Sequence, residues 1–317
     1  MSRRSKDWMG TLSALVVGAC CLAGAHGRAG QLGISQERSD QELMIYAAVR
    51  SVVDFTLEEL LLKFPVECRD LGFDLNQAEL DNLLRQTGER VAALYHDMPN
   101  TTSREQVRRE QLDSGGSTDN SDKQSFNYLV LSGVDGLWQE VRTDKKGKNI
   151  ALEGANLFLT SGFAGMSIFF HAQVQNRVRF RLLGRQNSAP NVYIVAFAQK
   201  AQRGQATGTF RSPGMYVPVH LMYQGFAWID PVTYQILRMR IDLLAPRMDA
   251  LLARQTTEIW FSEVHFNEIS QSFWVPQEVV VTIDWAGHLY QNRHSYSDYL
   301  VFSVESQDKL VHPVIKK

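Results

Sequence analysis

The feature that most constrains this fold is a change of hydrophobic period after residue 123. From there on, apolar side chains alternate with polar ones; Val178, Phe180 and Leu182, for example, are separated by arginines. A period of two is typical of a β-strand with one face in a core and the other in water. One stretch, 192–198, is apolar on both faces. The chain beyond residue 123 is therefore predicted to consist mainly of strands.

These strands follow one another closely and are joined by short turns. The clearest turn is 230–233, where Pro231 presets the backbone and Asp230 caps it. Its neighbours and the strands that follow are predicted at 216–229, 235–243, 255–267, 273–285 and 288–304. Short connections favour antiparallel pairing, and about eight to eleven such strands form a meander that curls towards a barrel or half-barrel.

Helices are predicted before the strands. The segments 39–42 and 56–59 each match a capping box, in which a Ser or Thr is followed three residues later by Glu. Residues 77–96 carry an apolar stripe at three- and four-residue spacing, which is typical of an amphipathic helix. The 103–112 segment fits either a helix or a strand, and the polar residues 113–123 are predicted to form an exposed loop.

One more helix is predicted within the strand region, at about 162–173, with Phe163, Met166, Phe169 and Phe170 on one side. The predicted fold class is therefore α+β: an antiparallel curved sheet or unclosed β-barrel, with the N-terminal helices and the inserted helix as a lid. A helical segment at 39–99 is expected to pack on the sheet, and the barrel-like domain is expected to span 103–312.

Residues 1–27 have the layout of a secretory signal: basic residues, an apolar run at 8–25, and small residues at its end. Two sites of cleavage are compatible with this pattern. Cleavage after Ala25 gives a free periplasmic protein, whereas lipidation of Cys20 would anchor the chain to a membrane and leave the fold soluble. Residues 28–38 are predicted to be a flexible leader.

Charge and cysteine content exclude some classes of protein. The formal net charge is −1, so there is no basic footprint for nucleic acid. Cys68 is the one cysteine beyond the signal, and cleavage after Ala25 would therefore leave no intramolecular disulfide. The histidines show no spacing typical of a zinc motif, no Gly-rich phosphate loop is present, and no cofactor or metal is predicted.

The most suggestive polar cluster is His294, Tyr296 and Asp298, which share one face of a predicted strand. An aligned histidine and aspartate are candidates for acid–base chemistry. However, a strand rises by roughly 3.3 Å per residue, so His294 and Asp298 would lie about 13 Å apart unless a bulge bends the strand. The alternative is that all three are ordinary polar residues on the wet face of a strand.

Aromatic residues are more prominent than polar ones in the strand region. They either fill a closed core or line a cavity suited to an acyl chain, and the sequence leaves both alternatives open. The cavity candidates are Phe163, Phe170, Phe226, Trp228, Trp260, Trp274 and Trp285.

Several segments resemble an uncharacterised family of exported proteins of acidobacterial type. They include 126–131, 159–163, 180–186, the Gly225–Tyr234 hairpin and His294–Tyr299, and the resemblance covers most of 75–305. Such chains are similar, distantly, to the lipoprotein-localisation (LolA/LolB-like) fold. This resemblance implies an unclosed antiparallel barrel with helices across its mouth, in which 103–112 is the first strand. It also implies an apolar cavity that carries lipid or lipoprotein acyl chains without a cofactor.

The leading hypothesis is thus an exported, non-enzymatic envelope protein that binds or carries a lipid or acylated ligand in an apolar barrel cavity. It would lie in the periplasm or be lipid-anchored to the outer membrane, with Cys20 as its contact with the membrane. A second hypothesis is a scaffold or sensor that binds protein partners. A third is a hydrolase with a site around His294 and Asp298.

Overall fold

A computed structural model describes residues 40–73, 77–113, 115–132, 138–150, 165–188, 191–202, 206–210, 218–266 and 272–302. The predicted signal, the leader and Phe163 lie outside these residues. Three α-helices precede most of the strands, at 40–47 (α1), Leu57–Lys63 (α2) and Leu80–Asp97 (α3). None of the helices in these ranges is long and apolar enough to cross a membrane.

The strands are β1 (Leu71–Phe73), β2 (Thr101–Leu112), β3 (Thr118–Ser132), β4 (Trp138–Thr143), β5 (Val178–Gln186), β6 (Tyr193–Gln199), β7 (Gly208–Phe210), β8 (Val219–Leu221), β9 (Tyr223–Ile229), β10 (Ile236–Leu243), β11 (Leu252–His265), β12 (Ser272–Trp285) and β13 (His288–Val301). Eleven of them form one sheet in the order β1-β5-β6-β9-β10-β11-β12-β13-β2-β3-β4, and β7 pairs with β8. Every pair in this sheet is antiparallel.

The sheet curves around a single large core. Buried side chains from strands near both of its ends, including Leu182 of β5 and Tyr128 of β3, belong to one hydrophobic cluster together with Leu83 and Val91 of α3. We call this side of the sheet the inner face. The order of the strands and the shared core confirm the predicted class, an α+β fold with an unclosed, curved antiparallel sheet.

The opposite side, the outer face, is covered over only part of its width. Val52 and Leu60 from the segment around α2 are fully buried against Ile194 of β6 and Phe226 of β9. Thr56 begins α2 with the capping box that the sequence predicts, since its hydroxyl accepts from the Glu59 amide. Among the described residues no such cover lies over the outer face of β13, β2 and β3: buried and exposed residues alternate along these strands, and the exposed ones point outwards.

A tight turn and a close backbone contact position β9 against β10. The turn after β9 forms as predicted: the Asp230 carboxylate accepts hydrogen bonds from the Val232 and Thr233 amides. On β9, a Cβ atom at Gly225 would lie 1.8 Å from the Arg240 carbonyl oxygen, so no other residue fits there without displacing β10.

Two sequence predictions are wrong. The segment 113–123 is not a loop throughout, because a tight turn at Asp113 ends by Ser117 and β3 then pairs with β2 along its polar end. The described part of 162–173 is not an α-helix but a series of turns around a 3₁₀ turn at Ile168–Phe170. Gly165 has φ +87°, and His171 is extended, which prevents a continuous helix on either side.

Candidate functional site

The aromatic residues predicted to line a cavity do not share one space. Phe170 lies in the inner core and Trp285 packs against it. Phe226 and Trp228 instead belong to the outer cluster beneath α2, where the Phe226 ring contacts Phe64 edge-on. The two groups are therefore on opposite sides of the same sheet.

The remaining two candidates are held by specific polar contacts. Trp260 lies on the outer side, where the Arg238 guanidinium is 4.4 Å from the Trp228 ring centroid and 5.5 Å from the Trp260 ring centroid. The Trp274 indole donates a hydrogen bond of 2.7 Å to the Ile236 carbonyl. These positions explain the residues as parts of the packing, and they do not assemble a cavity.

The structure separates the predicted polar cluster. His294 and Tyr296 are buried on the inner face, where both contact Glu105 of β2. Asp298 is exposed and lies 3.6 Å from Arg104 on the outer side. The register shifts between Ser297 and Leu300, and Asp298 has φ +54°. This irregularity changes the face of the sheet to which the Asp298 side chain points. The interpretation of all three as residues on a wet strand face is wrong for His294 and Tyr296.

Glu105 is the centre of a buried ionic cluster that no local pattern indicates. Its carboxylate is fully buried and accepts from Arg142 Nη2 at 2.7 Å, His294 Nδ1 at 2.8 Å and the Tyr296 hydroxyl at 3.0 Å. The Arg142 Nε group also donates to it. Glu105 and its partners come from three strands that are distant in sequence, β2, β4 and β13, so only the folded sheet brings them together.

The burial and charge of this cluster shift its protonation equilibria. Burial by itself raises the pKa of Glu105, but the charge and hydrogen bonds of Arg142 and His294 outweigh it and lower the pKa to about 2. Burial also lowers the pKa of the His294 imidazole, with a smaller contribution from the Arg142 charge. Because His294 and Glu105 are fully buried and already paired with each other, the cluster serves to hold strands together rather than to meet a substrate.

The accessible depression lies on the uncovered outer face of β13, β2 and β3. It has a volume of about 740 Å³. The described residues of its lining include five cationic ones and no carboxylate. The lining residues are Arg104, Gln106, Val107, Arg108, Lys123, Gln124, Ser125, Phe126, Asn127, Lys145, Arg293 and Ser295. We call it the basic groove.

Three of these cations lie in one row across three neighbouring strands. Arg293 of β13 is directly opposite Arg108 of β2, and Arg108 is directly opposite Lys123 of β3. Directly opposed residues in antiparallel strands have Cα atoms only about 4.5–5.5 Å apart, and like charges in such positions are destabilising. The sequence pattern shows Arg104 and Arg108 as an ordinary exposed cluster, since Lys123, Lys145 and Arg293 reach the same groove from distant positions.

Carboxylates neutralise part of this row from its margins. Arg293 pairs with Glu278, and Arg108 Nη2 lies 2.7 Å from Glu110 Oε1. Within the described ranges no ion pair involves Lys123 or Lys145. The groove therefore keeps positive charge that is available to a ligand.

A second, more apolar depression of about 470 Å³ adjoins the basic groove. The two share Arg104 and Asn127. Its apolar lining comes from Leu129, Leu300 and Phe302, and the Leu300 side chain is 52 % exposed. The basic groove and the more apolar depression thus meet at Arg104 on one accessible surface. Among the described residues, no group of three or more His, Cys, Asp or Glu side chains is arranged to hold a metal ion.

Comparisons with known proteins give weak likenesses. No family model and no curated protein matches the chain, so the acidobacterial-type assignment stays a prediction. A solved DUF1329 family protein from Desulfovibrio piger has a TM-score of 0.40 and 12 % identity, covering 71 % of this chain and 94 % of its own. A LolA superfamily protein from Nitrosomonas europaea has a TM-score of 0.34 and 13 % identity, covering 70 % and 94 %.

The Pseudomonas aeruginosa MucA/MucB complex gives a TM-score of 0.19 at 13 % identity, covering 70 % of this chain and 100 % of the matched chain. The neighbours include the LolA superfamily, the fold group that the sequence resembles. At such TM-scores and identities, a likeness of the chain trace does not identify a ligand.

Proposed function

We propose that this chain is an exported, non-enzymatic binding protein for an amphiphile with a phosphate-bearing head group, such as a lipid or an acylated ligand. The head group binds in the basic groove, and the hydrocarbon part lies on the adjoining apolar depression. The observation that carries this proposal is the row Arg293–Arg108–Lys123 beside that apolar depression.

The cation row is unfavourable without a ligand, because its like charges repel one another, and a bound anionic group would relieve this repulsion. Three like charges in direct register oppose strand pairing, and an anion placed between them replaces this repulsion by attraction. Guanidinium groups bind phosphate oxygens through paired N–H donors, and the groove provides arginines at 104, 108 and 293. The unpaired Lys123 and Lys145 add charge at the side of β3.

The apolar depression explains why the ligand is an amphiphile and not a bare anion. Leu129, Leu300 and Phe302 lie beyond Arg104, on the side away from Lys123. A chain of a few methylenes that leaves the head group can cover the half-exposed Leu300 side chain, and this burial is favourable by roughly 0.8 kcal/mol per methylene.

This location differs from the predicted one. The sequence favours a ligand inside the barrel, but α3 and Phe169 and Phe170 pack against the inner face and join its core. The proposal keeps the lipid or acylated ligand and moves it to the outer face. It requires no cofactor and no catalytic step, and the buried His294 plays no part in it.

Vesicle binding tests the proposal. We expect the protein to bind phosphatidylglycerol vesicles more tightly than phosphatidylcholine vesicles, and soluble glycerol phosphate to compete only at high concentration. Replacement of Arg108 and Lys123 by Gln should weaken binding to phosphatidylglycerol by about tenfold or more, because charged hydrogen bonds are lost. The matched control is Arg85→Gln on α3, where the arginine is 57 % exposed and far from the groove in the fold.

The hydrocarbon part has its own variant. Leu300→Ser should weaken vesicle binding and leave competition by glycerol phosphate unchanged. Equal binding of the Arg108/Lys123 variant and the Arg85 control would contradict the proposal. Tighter competition by an acidic peptide than by phospholipid would also contradict it, and would favour the scaffold hypothesis.

A further inference from the structure

Exposed apolar residues are concentrated in the segment around α1 and α2. Of eleven large hydrophobic residues exposed in the described ranges, seven lie between residues 44 and 66. Four of them, Leu57, Leu61, Leu62 and Val66, belong to α2 and the turn after it, with side-chain exposures of 37 %, 46 %, 81 % and 54 %. We call these four the apolar patch.

The packing of α2 explains the direction in which the patch faces. Leu60 is fully buried, and the Phe64 ring lies 4.9 Å from the Phe226 ring, centroid to centroid. These contacts fix one side of α2 against the outer face of the sheet. Leu61 and Leu62 therefore remain on the side that no described element covers. Helices whose apolar residues point into water in this way are typical of proteins that bind a surface.

We propose that the apolar patch rests in the interfacial zone of a lipid bilayer. The patch follows the predicted signal and leader: the described part of α1 starts at residue 40, twenty residues after Cys20. A chain of that length spans at most about 70 Å when fully extended. A protein held at Cys20 would therefore keep this patch close to the membrane that holds it.

Charge and size favour a bilayer over a protein partner. The neighbouring carboxylates Glu59 and Glu67 are paired with Arg50 and Arg240. Four further charged residues beside the patch are exposed, and their charges sum to zero: Lys63, Arg69, Glu58 and Asp70. A margin of balanced charge suits the zwitterionic head groups of an uncharged lipid surface. Four partly exposed aliphatic side chains offer well under the ~800 Å² per partner that a standard protein interface buries. A bilayer, in contrast, can take up a small patch without a complementary shape.

The experiment uses uncharged phosphatidylcholine vesicles. The exported, mature forms of the parent protein and of two variants are compared in a Cys20→Ser background, so that no acyl chain at residue 20 masks the difference. We expect Leu61→Ser/Leu62→Ser to lower the partition coefficient by about tenfold or more. The matched control, Val232→Ser, removes an 80 % exposed apolar side chain in the turn between β9 and β10 and should change nothing.

Two results would overturn the inference. One is that the parent protein does not bind these vesicles, and the other is that the Leu61→Ser/Leu62→Ser variant binds them as tightly as the parent does. Because the substituted leucines are exposed, urea unfolding should show the same stability for all forms. Phosphatidylcholine has a phosphate but no net charge, so the Arg108/Lys123 variant is measured on the same vesicles to separate the patch from the basic groove. If the patch carries the binding, this variant should keep its affinity for these vesicles, whether or not the proposed function is right. A loss as large as that of the leucine variant would assign the binding to the groove.

Discussion

The two halves of the sheet differ in how far their outer faces are covered by other parts of the chain. Strands β5, β6, β9 and β10 are covered by the segment around α2 on the outer face and by the large core on the inner face. Strands β13, β2, β3 and β4 pack against described residues on the inner face only. Apolar contacts on both faces stabilise the covered half. The uncovered half instead has an accessible surface that carries charged side chains.

Each half also buries a charged residue in a different way. In the covered half, Glu67 is buried beside α2 and accepts a 2.7 Å hydrogen bond from Arg240, whose side chain is 24 % exposed. In the uncovered half, Glu105 is fully buried below the basic groove, on the opposite side of β2. The inner side of β2 thus holds strands together while its outer side is available for binding. A single strand serves both roles because successive side chains point to opposite faces.

The largest expected effect tests the covered half. Phe226→Ala should lower the free energy of unfolding by about 4 kcal/mol, because it removes a fully buried ring from between α2 and the sheet. Ser125→Ala, on the outer face of β3, should change it by less than about 0.5 kcal/mol. Urea denaturation of both variants measures the difference. Similar losses would mean that both halves are covered.

A slightly smaller effect is expected from the buried ion pair. Arg142→Met leaves the Glu105 carboxylate buried without its main partner and should cost about 3 kcal/mol in the free energy of unfolding. Adding Glu105→Gln to this variant should restore part of the loss, because the uncompensated charge is removed. A double-mutant cycle in urea measures the coupling; purely additive losses would show that the pair is not a unit.

Acid should weaken the uncovered half in two stages. Burial lowers the pKa of His294 below its ordinary 6.5, so its contribution to stability is present above pH 6.5 and falls as the pH drops below it. Glu105, with a pKa of about 2 in the folded state against 4.5, loses its contribution between pH 4.5 and 2. His294→Gln should therefore flatten the loss of stability that sets in as the pH falls below 6.5.

The urea midpoint at several pH values measures this slope. His96→Gln is the matched control, since the His96 side chain is 88 % exposed, and it should reproduce the wild-type pH profile. A His294→Gln protein whose midpoint falls as steeply as that of the wild type just below pH 6.5 would show that His294 does not titrate with unfolding.

The smallest effect belongs to the basic groove. Arg293→Gln breaks an ion pair with Glu278 in which the side chains are 48 % and 36 % exposed, and it also removes a like charge next to Arg108. The two consequences oppose each other, so the free energy of unfolding should change by less than about 1 kcal/mol. A loss of several kcal/mol would show that Arg293 is a structural residue.

The sequence predicts the local features of this fold well. Asp230 and Pro231 carry enough turn chemistry to predict the hairpin, and Thr56 with Glu59 predicts the start of α2. The run 192–198, apolar on both faces, became β6 in the covered half, because a strand between two cores needs no polar face. These features depend on residues a few positions apart.

The candidate site could not be predicted in the same way. His294 has the neighbours of an exposed strand residue, and only the pairing of β13 with β2 and the nearby β4 brings Glu105 and Arg142 to it. The same pairing aligns Arg293 with Arg108. Register between strands nearly two hundred residues apart follows from the whole sheet, and no local pattern reports it.

The sheet also ends in two short edges. Strand β1 has three residues and β4 has six, and β4 pairs only with residues 127–132 of its fifteen-residue neighbour β3. A short edge offers few free amides and carbonyls to a strand from another molecule, which limits aggregation at high protein concentration. A barrel closed by hydrogen bonds has a fixed girth, but this sheet is open, so its curvature can adjust by a change in the gap between β1 and β4 without the loss of any pair between strands.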